Sequence, residues 1–247
     1  MAAAQNHLAA RGGCVIRLEP DGPDGCGLSR ADLDPDDFQS QLPVQNVHEF
    51  FADADAGISV GVWDTTTMQE AFGPYPGDEF IVVLDGRFAM IDAEGGAVTA
   101  GKGQSVCFRN AIPTSWKQDG YLKKFYVTVR DPQAQTPDIA SAAGGVIVLD
   151  ADPQHGISGH SETIIFTNDT GNMTVRYCQL PPGTSPVAAT LHHDFVQVLQ
   201  GDITLTGADG SAQVFAKGDV FFIPKGTLCG WTVNCESSLY KATLFMR

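Results

Sequence analysis

One stretch of this chain occurs twice, and the two copies keep the same internal spacing throughout. The first copy opens at Asp78-Glu79 and the second at His193-Asp194. Equivalent positions lie 115 residues apart, namely Glu79 and Asp194, Gly86 and Gly201, Gly95 and Gly210, Gly103 and Gly218, and Trp116 and Trp231. A repeat of this period in 247 residues predicts two domains of about 120 residues each, rather than one large domain.

Each copy consists of short apolar runs separated by turn residues. Hairpin turns are predicted at 92–96 and 207–210, and the last strands are predicted at 124–129 and 240–245, which we match to each other. The chain contains 27 glycines and 14 prolines, and no segment has a convincing amphipathic helical pattern. Many short strands joined by turns predict an all-β sandwich or barrel.

The domain limits follow from the segments that flank the repeat. We predict an N-terminal domain at 1–135, with a loose arm at 1–13 and its core at 50–129, and a C-terminal domain at 136–247, with its core at 165–246. The Pro- and Ala-containing segment 131–143 is the predicted linker. Two short strands, 14–18 and 146–149, are predicted to be counterparts of each other.

The charge and the cysteines indicate where such a protein works. The net charge of −14 excludes nucleic acid and anionic membrane surfaces as expected partners, because both would repel this protein. No run of 18 apolar residues predicts a membrane span, and the first residues lack the pattern of a signal peptide. The six cysteines include no CxxC pair. These features predict a cytoplasmic protein with reduced thiols.

Two motifs carry a resemblance to a known family. Glu79 and Gly86 are separated by six residues, and the second copy has Gly218, then Pro224-Lys225-Gly226, then Cys229-Gly230-Trp231. This pattern resembles the two-part signature of the cupins, in particular the subfamily with ureidoglycine aminohydrolases and ethanolamine-utilisation cupins. The resemblance covers 50–129 and 165–246. It implies two tandem cupin barrels (double-stranded β-helix, or jelly-roll, barrels) in one chain, a bicupin, and a homodimer formed through sheet edges.

The metal ligands that the resemblance implies are largely replaced. Cupins usually bind a metal through His-x-His, a following Glu and a later His. In the first copy only Glu79 remains, with Thr114 in place of the later His; in the second copy the corresponding residues are Asp194 and Cys229. The aminohydrolase ligand positions are occupied by Ala188, Thr190, Asp194 and Gly230. We therefore expect no usual cupin metal site in either barrel.

The second barrel nevertheless gathers groups that can bind metals. His192 and Asp194 lie two residues apart in a predicted strand and therefore share a face, and Cys229 and Trp231 share another. His192, Asp194 and Cys229 could hold a divalent ion such as Zn, Mn, Fe or Ni. The alternative is that Cys229 packs as an apolar residue while His192 is hydrogen-bonded near the barrel mouth.

The first barrel is predicted to hold a buried carboxylate among aromatic residues. Glu79 lies near Tyr75 and Trp116, and its burial requires a partner, for which Lys124 and Arg87 are the candidates. These groups could bind a cationic or hydroxylated small ligand. Alternatively they form an internal ion pair that fills the barrel.

The sequence leaves three hypotheses for the function of this protein. The first is a bicupin that binds a small polar metabolite at Tyr75, Glu79, Trp116 and Lys124 or at His192, Asp194, Cys229 and Trp231, without a metal. The second is a metal-dependent, aminohydrolase-like enzyme acting on a small nitrogen-containing metabolite. The third is a structural protein with filled barrels. Whether the protein is an enzyme stays open, and the second barrel, with more polar and soft groups, is the first place to look.

Overall fold

The computed structural model describes residues 14–130, 132, 141–151 and 162–245. The strands before the predicted linker are β1 Ile16–Arg17, β2 Ser29–Arg30, β3 Gln45–Asp53, β4 Ile58–Thr65, β5 Met68–Gln69, β6 Gly73–Pro74, β7 Asp78–Asp85, β8 Arg87–Ile91, β9 Ala97–Gly101, β10 Ser105–Phe108, β11 Pro113–Gln118 and β12 Leu122–Val129. Short 3-10 turns occur at Pro23–Gly25 and Pro35–Asp37.

The second half of the chain repeats this order. Its strands are β13 Val146–Leu149, β14 Glu162–Thr167, β15 Met173–Leu180, β16 Gly183–Thr184, β17 Ala188–Ala189, β18 His193–Gln200, β19 Asp202–Gly207, β20 Ala212–Ala216, β21 Val220–Ile223, β22 Leu228–Val233 and β23 Ser237–Leu244. The bounds of β4, β7, β10, β11 and β12 recur 115 residues later in β15, β18, β21, β22 and β23. In the ranges that the structure describes, no helix is long and apolar enough to cross a membrane.

Each half is a barrel made of one large and one small antiparallel sheet. The large sheet of the first barrel has the order β13-β10-β7-β12-β4-β3-β2, and its small sheet has β5-β11-β8-β9 with β6 beside β11. The second barrel has β1-β21-β18-β23-β15-β14 and β16-β22-β19-β20 with β17 beside β22. The prediction of two tandem cupin-type jelly-roll barrels is thereby confirmed.

The two barrels exchange edge strands. Strand β1, from the start of the chain, pairs with β21 of the second barrel, where Ile16 lies opposite Phe222. Strand β13 pairs with β10 of the first barrel, where Ile147 lies opposite Cys107. The two short strands predicted as counterparts therefore occupy equivalent places on opposite barrels, and each covers a sheet edge. The division at 135/136 falls outside the described residues and stays a prediction, but strand pairing crosses it in both directions.

A shared apolar core joins the barrels. On β7, Phe80 and Val82 belong to this core, whereas Ile81 and Val83 belong to the core inside the first barrel. The alternation of a strand sends successive side chains to opposite faces, so β7 is buried on both. Strand β18 behaves in the same way, with Phe195 in the shared core. The Phe80 and Phe195 rings meet edge to face with centroids 5.8 Å apart.

Buried hydrogen bonds also connect the barrels. The Asn168 amide donates to the Asp78 carboxylate at 2.8 Å, and the Ser105 hydroxyl donates to Gln197 Oε1 at 2.6 Å. The Tyr240 hydroxyl donates to the backbone carbonyl of Asp150 at 3.0 Å. Such bonds fix the register between two surfaces because a buried polar group without its partner is costly.

Replacing Asn168 with alanine is expected to lower the free energy of unfolding by about 1–3 kcal/mol, because the buried Asp78 carboxylate loses a donor. Asn168 is 3% exposed, and its amide oxygen also accepts from the backbone N–H of Met173. Urea denaturation measures the change. Asn234→Ala is the control, since that amide is exposed and lies 3.5 Å from Asp202, and its effect should stay within about 0.5 kcal/mol. Equal effects of the two substitutions would contradict the role given to Asn168.

Candidate functional site

The first barrel contains a cavity of about 600 Å³. Its walls come from the large sheet, from the segment between β5 and β7, and from Trp116 on the small sheet. The residues that line it and carry polar or aromatic groups are Gln45, Glu49, Asp53, Ser59, Trp63, Glu70, Tyr75, Glu79, Trp116, Lys124, Tyr126, Thr128 and Arg130. This volume lies within the range of small-molecule sites, which is roughly 300–1,000 Å³.

Strand alternation places the polar groups in this cavity. On β12, Lys124, Tyr126 and Thr128 line the cavity, whereas Phe125 and Val127 point into the shared core between the barrels. The register aligns Lys124 with Val83 of the neighbouring strand β7. A one-residue shift of this strand would place the ammonium in the apolar core, so the register of β12 determines the chemistry of the cavity.

A network around Glu79 forms the floor of the cavity. The Lys124 ammonium lies 2.9 Å from Glu79 Oε1, and the Tyr75 hydroxyl donates to Glu79 Oε2. Glu79 and Lys124 are 5% and 7% exposed, so both charges are buried and each compensates the other. Burial and the neighbouring Glu79 carboxylate raise the pKa of Tyr75 well above its ordinary value. The phenol therefore stays protonated and acts as a donor.

Two tryptophans enclose the ammonium. Lys124 Nζ lies 5.2 Å from the centroid of the Trp63 ring and 4.9 Å from that of Trp116, which are cation–π distances. The Trp63 indole N–H donates to Gln45 Oε1 at 3.2 Å, and the Trp116 indole N–H donates to Gln118 Oε1 at 2.8 Å. These bonds fix both rings, so the aromatic wall is formed before any ligand arrives.

A second carboxylate, Glu70, also faces the cavity. Its backbone N–H donates to the Trp116 carbonyl at 2.9 Å, and its carbonyl accepts from the Ser115 hydroxyl at 2.7 Å. Burial raises the pKa of Glu70 to about 7; the Lys124 charge opposes this rise, and the Glu79 and Asp37 carboxylates add to it. Sequence reasoning missed Glu70, because an isolated acidic residue after a two-residue strand gives no signal in one sequence.

The rim of the cavity is also organised by hydrogen bonds. The Tyr126 hydroxyl lies 3.3 Å from Ser59 Oγ, which donates to Glu49 Oε2 at 2.7 Å. Gly61 makes this possible, because a Cβ there would lie 2.5 Å from the Tyr126 oxygen and 2.5 Å from the His48 carbonyl oxygen. The phenol ring can therefore lie directly against β4.

The structure brings together four of the predicted site residues. Tyr75, Glu79, Trp116 and Lys124 all line the first cavity. Lys124 rather than Arg87 pairs with Glu79; Arg87 begins β8 and is exposed. The internal ion pair of the structural alternative is therefore present, and a cavity of about 600 Å³ remains beside it. The alternative of a structural protein with filled barrels stays a prediction.

The second barrel does not gather its predicted residues in the same way. The His192 ring meets the Phe245 ring at 4.6 Å, and Asp194 Oδ1 accepts from the Thr243 hydroxyl at 2.7 Å. Cys229 is 5% exposed in the apolar core of this barrel, with Trp231 packed against that core. Burial, followed by the Asp194 charge, raises the pKa of Cys229, which keeps it a thiol.

Beside Cys229 lies a smaller cavity of about 330 Å³, which Cys14 and Thr227 also line. The expectation that the second barrel is the first place to look stays a prediction, although the larger of these two cavities lies in the first barrel. The Glu79–Lys124 pair and the cavity of about 600 Å³ are in the first barrel, and position 124 is equivalent to the apolar Leu239 in the second.

A metal ion fits neither set of residues. In the part of the chain that the structure describes, no group of three or more His, Cys, Asp or Glu side chains is placed to hold one. In the first barrel, both oxygens of Glu79 are engaged by Tyr75 and Lys124, and the Thr114 hydroxyl donates to the Ile91 carbonyl. His192, Asp194 and Cys229 do not form a ligand set in the second. The ammonium of Lys124 supplies the positive charge beside Glu79.

Comparisons with known proteins agree with this architecture. The model of the EutQ-like cupin domain matches residues 167–237. No curated protein matches the chain. Among solved structures, a protein of unknown function of the DUF861 family from Pseudomonas syringae pv. tomato is 19% identical, with a TM-score of 0.66 over 94% of this chain and 99% of that chain. Protein Ylba from E. coli, of the same family, is 15% identical, with a TM-score of 0.58 over 96% of this chain and 93% of that chain.

One similar structure is an enzyme. A salicylate 1,2-dioxygenase from Pseudoaminobacter salicylatoxidans is 12% identical, with a TM-score of 0.51 over 76% of this chain and 71% of that chain. At such identities the likeness concerns the fold, which hosts many chemistries. The chain thus has the cupin fold in two tandem barrels, and its residues 167–237 are similar to the EutQ-like cupin domain.

Proposed function

We propose that the first barrel binds a small polar metabolite in its cavity. The observation that carries this proposal is the preformed cavity of about 600 Å³, in which fixed aromatic walls surround the Glu79–Lys124 pair. Ligand sites typically combine apolar walls with a few oriented polar groups, and this cavity has both. The metabolite carries cationic or hydroxylated groups, which match the carboxylates and indole faces.

Aminohydrolase-like catalysis stays a prediction drawn from the resemblance alone. Two of its four metal-ligand positions, Ala188 and Gly230, hold residues without a side-chain donor atom. A polar ligand held without a metal is the simpler use of the Tyr75–Glu79–Lys124 network, because the ammonium already supplies the cation. The homodimer, the cytoplasmic location and the exclusion of nucleic-acid and membrane partners remain predictions.

A ligand that occupies the cavity is expected to raise the melting temperature and to change the emission of Trp63 and Trp116. Binding to the native state alone stabilises it by roughly 2.7 kcal/mol when the ligand concentration is 100 times the Kd. We would screen a library of polar metabolites by thermal shift and confirm hits by tryptophan fluorescence. Thr128→Trp, which fills the cavity, should abolish the response.

Thr99→Trp is the matched control, because Thr99 lies on an exposed part of β9 and the same change there leaves the cavity open. The proposal would be contradicted if no compound of the library binds, or if the hits bind Thr128→Trp as tightly as the wild-type protein.

A further inference from the structure

The charged groups that line the first cavity differ in their hydrogen-bond and ion-pair partners. Four carboxylates (Glu49, Asp53, Glu70 and Glu79) and two cations (Lys124 and Arg130) line it. Glu79 binds Tyr75 and Lys124, Glu49 accepts from Ser59, and Asp53 accepts from the backbone N–H of Ala56. Arg130 donates to the Pro76 carbonyl. No described residue makes a hydrogen bond or an ion pair with the Glu70 carboxylate.

The surroundings of Glu70 contain charges from three elements. Lys124 comes from β12, Glu79 comes from β7, and Asp37 comes from the 3-10 turn at Pro35–Asp37. The ammonium of Lys124 is already bound to Glu79 at 2.9 Å, so it compensates that carboxylate first. A partly desolvated carboxylate next to two others is costly to ionise unless a further cation comes within hydrogen-bonding distance.

We propose that Glu70 receives the positively charged nitrogen of the ligand, so that the first barrel binds a small organic cation such as a primary amine or a guanidinium. This inference rests on the function proposed above and narrows it. The lining carries two more negative than positive side chains when all are ionised, which attracts a cation and disfavours an anion. The Trp63 ring, which also lines the cavity, offers the same kind of ligand an aromatic contact.

The ionisation of Glu70 makes the affinity for a cationic ligand depend on pH. Free Glu70, with its pKa at about 7, is mostly protonated at pH 6 and mostly ionised at pH 8. A cationic ligand selects the ionised form, so its affinity should rise about tenfold between pH 6 and pH 8. Binding at pH 7 should release about half a proton per ligand. Both effects disappear when Glu70 cannot ionise.

The experiment uses the full chain with Trp231→Phe, so that the fluorescence reports on Trp63 and Trp116. Propylamine and methylguanidine are the cationic probes, since both stay protonated in this range, and propanol and methylurea are their neutral counterparts. Titration calorimetry in buffers of different ionisation enthalpy measures the proton release. Glu70→Gln should weaken cation binding by about 10–100-fold at pH 8, as expected for a charge-assisted hydrogen bond.

Glu94→Gln is the matched control, because Glu94 lies in the exposed turn between β8 and β9. The inference is supported if cations bind with proton release, if neutral probes bind at least tenfold more weakly, and if only Glu70→Gln removes the difference. Neutral probes that bind as tightly as cations, or a Glu70→Gln variant with an unchanged pH profile, would overturn it. So would a metabolite library that yields only neutral or anionic ligands. In these cases the cavity still binds a small molecule, and the proposed function stands. If no compound of the metabolite library binds, the proposed function itself is overturned.

Discussion

Replacing Lys124 with methionine is expected to destabilise the protein by about 3–5 kcal/mol, the usual effect of removing one partner of a buried ion pair. The substitution keeps an unbranched side chain between Trp63 and Trp116 but leaves the Glu79 carboxylate without its cation. Tyr75 alone then compensates that charge. Chemical denaturation, followed by the emission of the two tryptophans, measures the loss.

Two further variants distinguish the lost ion pair from lost packing. The double variant Glu79→Gln/Lys124→Met removes both charges and should recover most of the lost stability, because an apolar replacement of a whole buried pair is often neutral. Lys102→Met is the surface control: Lys102 and Asp85 are exposed and 3.9 Å apart, so its effect should stay within about 0.5 kcal/mol. A double variant as unstable as Lys124→Met would show that packing, and not the charge pair, governs this site.

Much of the fold could be predicted because the repeat fixes the register of the strands. The spacing of 115 residues holds for both bounds of β4, β7, β10, β11 and β12, and the turns fall where glycine and proline cluster. The continuous apolar run 80–84 also signals a strand buried on both faces, which β7 is. A single sequence does not, however, show which surface covers the second face.

The comparison of the last strands shows where the prediction failed. The sequence prediction pairs Lys124 with Tyr240, which is one residue off the spacing of the repeat. The structure makes Leu239 the equivalent residue, because Lys124 lies opposite Val83 and Leu239 lies opposite Val198. A shift of one residue exchanges the two faces of a strand. The correct register explains why the second barrel has an apolar leucine at the position that Lys124 occupies in the first.

Other parts of the site depend on contacts between distant segments. Glu70 faces Lys124 only because the segment that follows β5 and strand β12 line the same cavity. The exchange of β1 and β13 likewise depends on packing between the barrels, since strands of only two and four residues can pair with many edges. Local patterns predict strands and turns, whereas these long-range choices are decided by the fit of whole surfaces.

Replacing Phe80 with alanine is expected to cost about 3–5 kcal/mol, because it opens a cavity in the core that the two barrels share. Phe80 is 0% exposed, and its ring meets those of Phe195 and Tyr240 at centroid distances of 5.8 and 6.5 Å. Two probes follow urea denaturation: Trp63 and Trp116 together report on the first barrel, and Trp231 reports on the second.

In the wild-type protein the shared core and the exchanged strands should make the two transitions coincide. In Phe80→Ala both midpoints should fall, and the transitions of the two barrels should separate, because the lost contacts are those that couple them. Phe72→Ala is the control, since Phe72 is 44% exposed and its removal should cost less than about 1 kcal/mol. A Phe80→Ala variant that loses as little as this control would show that the exchanged strands, and not the shared core, hold the barrels together.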